Sequence, residues 1–236
     1  MQAKNLFIIN VGANASHHGM VSPLYRNDDF DIITIPEYDA DHGYACLRYC
    51  DVTWEDPIKV QTILGERIWT IPTHNDPDLG RGVYGDLPDS SPRAFSLRKA
   101  KHGDGMLFFA RLTPFNEGRF SGEAGFYLIG GWVIDKILSK EELVRLPLCQ
   151  RVLDNPHVRK LKVGKKDNFI LYLAKEKSYR FEHPIRMDRG FLAEALPESN
   201  LWTWDSCRSS LQIIGSHLRT IKCVKSRSHR ILTKLI

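Results

Sequence analysis

Residues 101–112 read KHGDGMLFFARL and residues 125–138 read GFYLIGGWVIDKIL, and the fold turns on these two runs. Gly103-Asp104-Gly105 predicts a tight turn, because glycine accepts positive φ and an aspartate can bond nearby backbone. The residues after it, Met106–Leu112, are apolar at nearly every position, which predicts a strand buried on both faces. The second run reads as one strand over Phe126–Leu138 with two side chains missing at Gly130 and Gly131. Such a gap suits a strand that coils sharply at a barrel corner, or one that a neighbouring backbone approaches closely. Two strands of this kind predict a small, strongly curled sheet or barrel.

Working outward, period-2 or continuous apolar runs predict further strands at Leu6–Val11, Phe30–Ile35 and Phe169–Ala174. Ser139 followed by Glu142 is a capping-box pattern, and Pro147 cannot continue a helix, so a short helix is expected between them. Leu211, Ile214, Leu218 and Ile221 recur at gaps of 3, 4 and 3. That stripe predicts a helix over Ser206–Ile221 with basic residues off its apolar face. Thr70–Pro92, dense in Pro, Gly, Asp and Ser, reads as a long irregular segment of the sort that carries function. Several scattered strands with few helices between them predict an α+β fold. The whole chain, 1–236, reads as one elaborated domain in which 206–236 is a basic helical extension.

With 236 residues, 42% hydrophobic and 26% charged, the chain can bury a real core and has ordinary globular composition. The apolar run near the N-terminus, Leu6–Val11, is too short for a signal sequence or a membrane span, so a cytoplasmic protein without a membrane partner is expected. Five cysteines (Cys46, Cys50, Cys149, Cys207, Cys223) include no C-x-x-C pair, which argues against a disulfide framework or a structural zinc knuckle. Charge is uneven. Arg208, Arg219, Lys222, Lys225, Arg227, Arg230 and Lys234 follow Ser206 with no acid among them, so +7 of a net charge of +5 lies there and residues 1–205 carry −2. Either a solvated basic tail or a phosphate-contacting surface would look like this.

Four stretches offer chemistry. NASHHGMVS holds Asn14, Ser16, His17, His18 and Ser22, groups that could hold a base edge or a phosphate; adjacent histidines point apart, so they make poor joint metal ligands. HNDPD gives His74, Asp76 and Asp78, where a carboxylate could activate water, although Asp-Pro is also a plain turn former and the run lacks the ligand spacing of a known metal loop. YGDLPDSSPR supplies Asp86, Ser91 and Arg93, and an arginine fork beside small hydroxyls suits phosphate. LWTWD places Trp202 and Trp204 two apart, on one side of a strand, where they could stack a base or fill a core; Trp132 could line a barrel mouth. The chain has no P-loop, no G-x-S-x-G, no H-E-x-x-H and no zinc-deaminase motif. No metal and no cofactor are expected.

The run GDGMLFF…FYLIGGWVIDKIL resembles PUA-like domains, the superfamily of the ASCH, EVE and YTH modules. More specifically, NASHHGMVSPLY, IITIPE, HNDPDL, GDGMLFF…LIGGWV, NPH and NFILYLA resemble the nucleotide-modification-associated domain family of the third type over most of residues 5–175. The chain departs from that family at VGANASHHG, where a basic residue followed by FDSS is usual; only Ser16, Gly19, Ser22 and Pro23 carry over there. The resemblance implies a PUA-like curled barrel and a role with modified bases in nucleic acid. Two readings follow. In the first, the protein recognises a modified base in a pocket beside the barrel: aromatics stack it, Ser16, Ser91 and Arg93 orient it, and Arg219, Lys222, Lys225, Arg227 and Arg230 hold the backbone of the nucleic acid. In the second, an enzyme acts on such a base or its glycosidic bond with Asp76, Asp78 or Asp86 as general base or charge stabiliser. Fold alone does not decide between them.

Overall fold

The computed structural model describes residues 5–13, 20–38, 46–145, 147, 149–164, 167–175, 179–188 and 190–191, and the strand backbones at 202–204, 211–213 and 220–223. The strands are β1 (Leu6–Asn10), β2 (Ser22–Leu24), β3 (Ile35–Pro36), β4 (Thr73–His74), β5 (Val83–Asp86), β6 (Gly105–Asn116) and β7 (Arg119–Phe120). They continue with β8 (Gly125–Val133), β9 (Lys136–Ser139), β10 (Ile170–Leu173), β11 (Arg180–Arg186), β12 (Trp202–Trp204), β13 (Leu211–Ile213) and β14 (Thr220–Cys223). Four helices are described: α1 (Pro57–Trp69), α2 (Lys140–Arg145), α3 (Gln150–Leu153) and α4 (Pro156–Lys162). The fold is mixed α+β, with several sheets and few helices.

The opening turn forms as its residues dictate. Gly103 takes φ 83°, and the buried Asp104 carboxylate accepts from Lys101 N at 2.9 Å and from Asn5 N and Nδ2 at 3.1 and 2.8 Å. Asp104 thereby ties the start of β6 to the start of β1. β6 is buried on both faces from Gly105 to Ala110 because strands flank it on each side. It runs parallel to β1 and antiparallel to β8, and the sheet order is β11-β8-β6-β1-β14, with β2 and β7 also pairing β6. Phe7, Ile9, Phe108, Ile129 and Trp132 form the heart of its core. The order does not return on itself, so the described strands make an open sheet with no closed barrel. Among the described residues no helix is long and apolar enough to cross a membrane.

Gly130 owes its place to close approach. A Cβ there would lie 2.5 Å from Tyr179 O and 3.2 Å from Arg180 Cα, where β11 pairs with β8 and Arg180 stands opposite Gly130. The β6–β8 register also slips at this point, between Phe108 and Phe109, as a bulge requires.

The expected strand Phe126–Leu138 is two strands. At Ile134 the chain still bonds Asp104 O, but Asp135 N bonds Leu173 O; the backbone changes partner from β6 to β10 and so links the main sheet to a second one, β5-β10-β9. In that second sheet alternation divides the side chains. Tyr84 and Tyr172 join the main core, while Val83, Leu171 and Leu173 join a smaller core with Leu143, Val152 and Val158 from α2–α4. The capping box at α2 is present: Ser139 N bonds Glu142 Oε2 at 2.7 Å and Glu142 N bonds Ser139 Oγ at 3.3 Å.

Two expectations fail for tertiary reasons. Within Ser206–Ile221 the described residues are strand: β13 pairs β12, and β14 pairs β1 with Ile221 opposite Ile8. The helical stripe lost because β1, fully enclosed and bonded to β6 on one side only, needs a partner for its other edge. Phe30–Ile35 is mostly irregular. The buried Asp31 carboxylate in its middle accepts from Glu55 N, Asp56 N and the Tyr25 hydroxyl at 2.8, 3.1 and 2.9 Å. It therefore anchors the entry to α1 and leaves the strand ladder.

Candidate functional site

Histidine, carboxylate and imidazole meet where the irregular segment after β4 passes α4. β4 pairs β3 with His74 opposite Ile35, which brings Glu37 beside His74, with Oε2 3.6 Å from Nδ1. Two residues on, Asp76 is fixed by the backbone of β5: Gly85 N donates to both its oxygens, at 3.1 and 2.9 Å. The third member arrives from distant sequence. Asn155 caps α4 by accepting from His157 N at 3.0 Å, and Pro156 starts the helix. His157 then lies with Nε2 3.6 Å from Asp76 Oδ2, its ring stacked on Phe169 and edge-on to His74.

One potential ligand atom from each of His74, Asp76 and His157 lies within 4.8 Å of the other two. Lys160, one turn along α4, is ion-paired with Glu37. Gly85 makes the assembly possible: a Cβ there would stand 2.6 Å from His157 Cδ2 and 3.0 Å from Asp76 Oδ2.

The electrostatics are those of a site held under tension by burial. Burial raises the Asp76 carboxyl well above the usual carboxylate range. The Gly85 N–H and the Asn155 amide pull it back, and the nearby charges of Asp86 and Asp78 push it further up. The Asn155 Nδ2 is itself buried without a partner at hydrogen-bonding geometry. Burial also acts to raise Glu37, but the nearby His74 ring and the hydrogen-bonded, charged Lys160 outweigh it, and Glu37 is taken down to about 2. An acid pushed up by burial, Asp76, and one held down by Lys160 and His74, Glu37, thus both stand near His74. Chemically, such a group can orient an imidazole for proton transfer, or hold a cation.

The other sequence candidates separate. Asp78 closes a hairpin: its backbone exchanges bonds with Val83, and its carboxylate accepts from Arg81 N at 3.0 Å. From that hairpin Arg81 reaches Asp154, which also pairs Arg159 of α4, so the ion network staples the Asp76 loop to the helix bearing His157. Asp86 is buried and bonds the Tyr84 hydroxyl and Leu87 N; strand alternation puts it on the opposite face from Gly85 and His157. Ser22 is buried, with Oγ accepting from Ile33 N at 3.0 Å. Ser91 precedes a 3₁₀ segment, Pro92–Lys99, whose backbone includes Arg93.

Trp132 is wholly enclosed between Phe108 and Tyr179, so it is a core residue here and offers no open face to a base. Trp202 and Trp204 lie in β12 and Lys222 in β14, as backbone only. Asn14, Ser16, His17, Arg219, Lys225, Arg227 and Arg230 lie outside the described residues.

Sequence reasoning missed His157, Glu37 and Lys160. The signal for His157 was present in Asn155-Pro156-His157, a capped helix start carrying an imidazole, but nothing local ties it to His74 and Asp76. The expectation of no metal rested on ligand spacing along the chain, and the fold adds His157 of α4 to His74 and Asp76.

Residues 5–220 match the family model for nucleotide modification associated domain 3, and the chain belongs to that family. No curated protein and no solved structure matches it.

Proposed function

We propose that the protein acts chemically on a nucleotide, within nucleic acid or free, at the cluster of His74, Asp76 and His157. The observation that supports this most is a buried carboxylate clustered with two imidazoles, one ligand atom of each within 4.8 Å of the others, in a family whose name ties it to nucleotide modification. Recognition of a base needs only stacking and hydrogen-bonding groups; it has no use for an acid buried beside histidines at a cost in stability.

Of the sequence-derived acids, Asp76 is the one with a place in this reading. It stands 3.6 Å from His157, which faces the reacting atoms as proton donor or acceptor, while Asp78 and Asp86 hold the surrounding backbone. A modified base or its glycosidic bond is the substrate class. Ser91 and Arg93 are kept as phosphate-orienting groups, Trp202 and Trp204 as the stacking pair, and the cations from Arg219 to Arg230 as contacts to the nucleic-acid backbone. The PUA-like pocket implied by the resemblance would lie beside the main sheet, whereas this cluster stands against the second sheet.

The test is product release from a panel of oligonucleotides with modified bases, measured beside binding isotherms. Asp76→Asn and His157→Gln should each lower turnover by ~10²–10⁴-fold with binding held within a few fold, and Asp78→Asn should leave the chemistry near wild type. If wild type binds the panel and releases nothing, the protein is a reader. If both site variants turn over normally, the cluster is not the reaction centre.

A further inference from the structure

We propose that His74, Asp76 and His157 form a binding site for one divalent transition-metal ion of the zinc class. This rests on the reading of the cluster as the functional centre, but the ion can be measured without any substrate.

Distance carries the argument first. Asp76 Oδ2 and His157 Nε2 stand 3.6 Å apart, too far for a hydrogen bond, whose heavy atoms lie at 2.7–3.2 Å. Two ligands sharing one ion with bonds of about 2.0–2.1 Å sit ~3.4 Å apart at a tetrahedral angle. The separation therefore suits two ligands of a common ion. All three ligand atoms fall within 4.8 Å of one another, so closing on an ion takes movements below about 1 Å.

Ligand type agrees. Two imidazoles and a carboxylate suit zinc and its first-row neighbours, and three protein ligands leave a position for water or substrate. Calcium and magnesium, which want oxygen ligands, are poorly served.

The surroundings are those of a supported site. Metal-bound histidines characteristically give their other ring nitrogen to a carboxylate or carbonyl; Glu37, held by Lys160, stands 3.6 Å from His74 Nδ1, and a closure of about 0.5 Å would bring the two within hydrogen-bond reach. Asp76 is fixed by two bonds from Gly85 N. The Asn155 amide, buried and without a partner of good geometry, acts on the same carboxylate. The three described free cysteines, Cys46, Cys50 and Cys149, have no part in the site.

The experiment uses the full chain, stripped with a chelator and dialysed against zinc or cobalt(II), with elemental analysis and absorption spectra. One ion per chain is expected, with visible cobalt bands and no near-ultraviolet thiolate charge-transfer band. Glu37→Gln should weaken affinity by about 10–100-fold, as loss of an outer contact does, and His74→Gln and His157→Gln by more. An ion content far below one, a thiolate band, or full affinity in both histidine variants would overturn the site. Should a variant fail to fold, the wild-type stoichiometry and spectrum still decide. Metal binding without turnover would leave this proposal standing and remove the enzymatic one; turnover by a protein that takes up no ion would do the reverse.

Discussion

Gly85→Ala adds one methyl group at the point where the second sheet, α4 and the Asp76 loop converge. The new Cβ would meet His157 Cδ2 at 2.6 Å, Leu171 Cδ2 at 2.9 Å and Asp76 Oδ2 at 3.0 Å. Carbon contacts want about 3.5–4.0 Å, so the His157 ring must retreat by about 1 Å or the strand must shift. Leu171 is buried in the smaller core and cannot yield freely. Overpacking of this kind costs about 1–3 kcal/mol. In a chain of this size each kcal/mol lowers Tm by ~2–4 °C, giving a drop of ~2–12 °C. The site should suffer more than the fold, because a 1 Å misplacement of a reacting group can cost ~10²-fold in rate. Gly80→Ala in the same segment is the control: its Cβ would touch only Asp78 Oδ1, at an ordinary 3.6 Å. Urea melts, cobalt spectra and turnover on the three proteins give the comparison. A Gly85→Ala protein with wild-type stability and an intact site, or a Gly80→Ala protein equally damaged, would refute the packing argument.

Other expectations concern the frame and the tail. Asp104→Ala removes the acceptor of three hydrogen bonds at the β1–β6 junction and should cost about 2–4 kcal/mol in urea unfolding; a loss under 1 kcal/mol would contradict its role as the tie. Burial raises Asp31 above its ordinary value of 3.8, with its backbone hydrogen bonds opposing. The native state therefore holds this proton more tightly than the unfolded chain. Its contribution is present in full below the unfolded value and declines as pH rises through the folded one. Asp31→Asn removes that slope, so the stability gap between wild type and variant should change with pH above 3.8; a pH-independent gap refutes it. Finally, affinity for duplex DNA should fall with log salt at a slope no steeper than about −6, the limit for seven phosphate contacts, and Arg227→Ala and Arg230→Ala should each remove about one unit. Salt-insensitive binding would show the tail to be a bystander.

What the sequence revealed was local chemistry. A Gly-Asp-Gly turn, a doubly buried strand, a glycine closely approached by a neighbouring strand and a Ser139–Glu142 capping box each follow from a few adjacent residues, and each is present. What it concealed was decided over long range. The stripe Leu211–Ile221 has a genuine helical period, yet at Thr220–Cys223 the open edge of β1 prevails. α1 was missed although Asp56 accepts from Lys59 N and Pro57 begins the helix; its apolar residues give a weak pattern interrupted at Gly65, where φ is 73°. The candidate site divides in the same way. His74 and Asp76 were visible as a pair of reactive types two residues apart. His157 lies 81 positions beyond Asp76, on another helix, and only the β5–β10 pairing with α4 above it brings the two together.

In the proposed function a nucleotide meets the protein at His74 and His157. Imidazole NMR of the histidines, assigned through His74→Gln and His157→Gln, can be followed while a modified nucleoside monophosphate is added to the full chain. The His74 and His157 signals should shift in a saturable way, with the exposed His102 and His183 as unmoved references. Saturable binding that leaves both cluster histidines unchanged would contradict it.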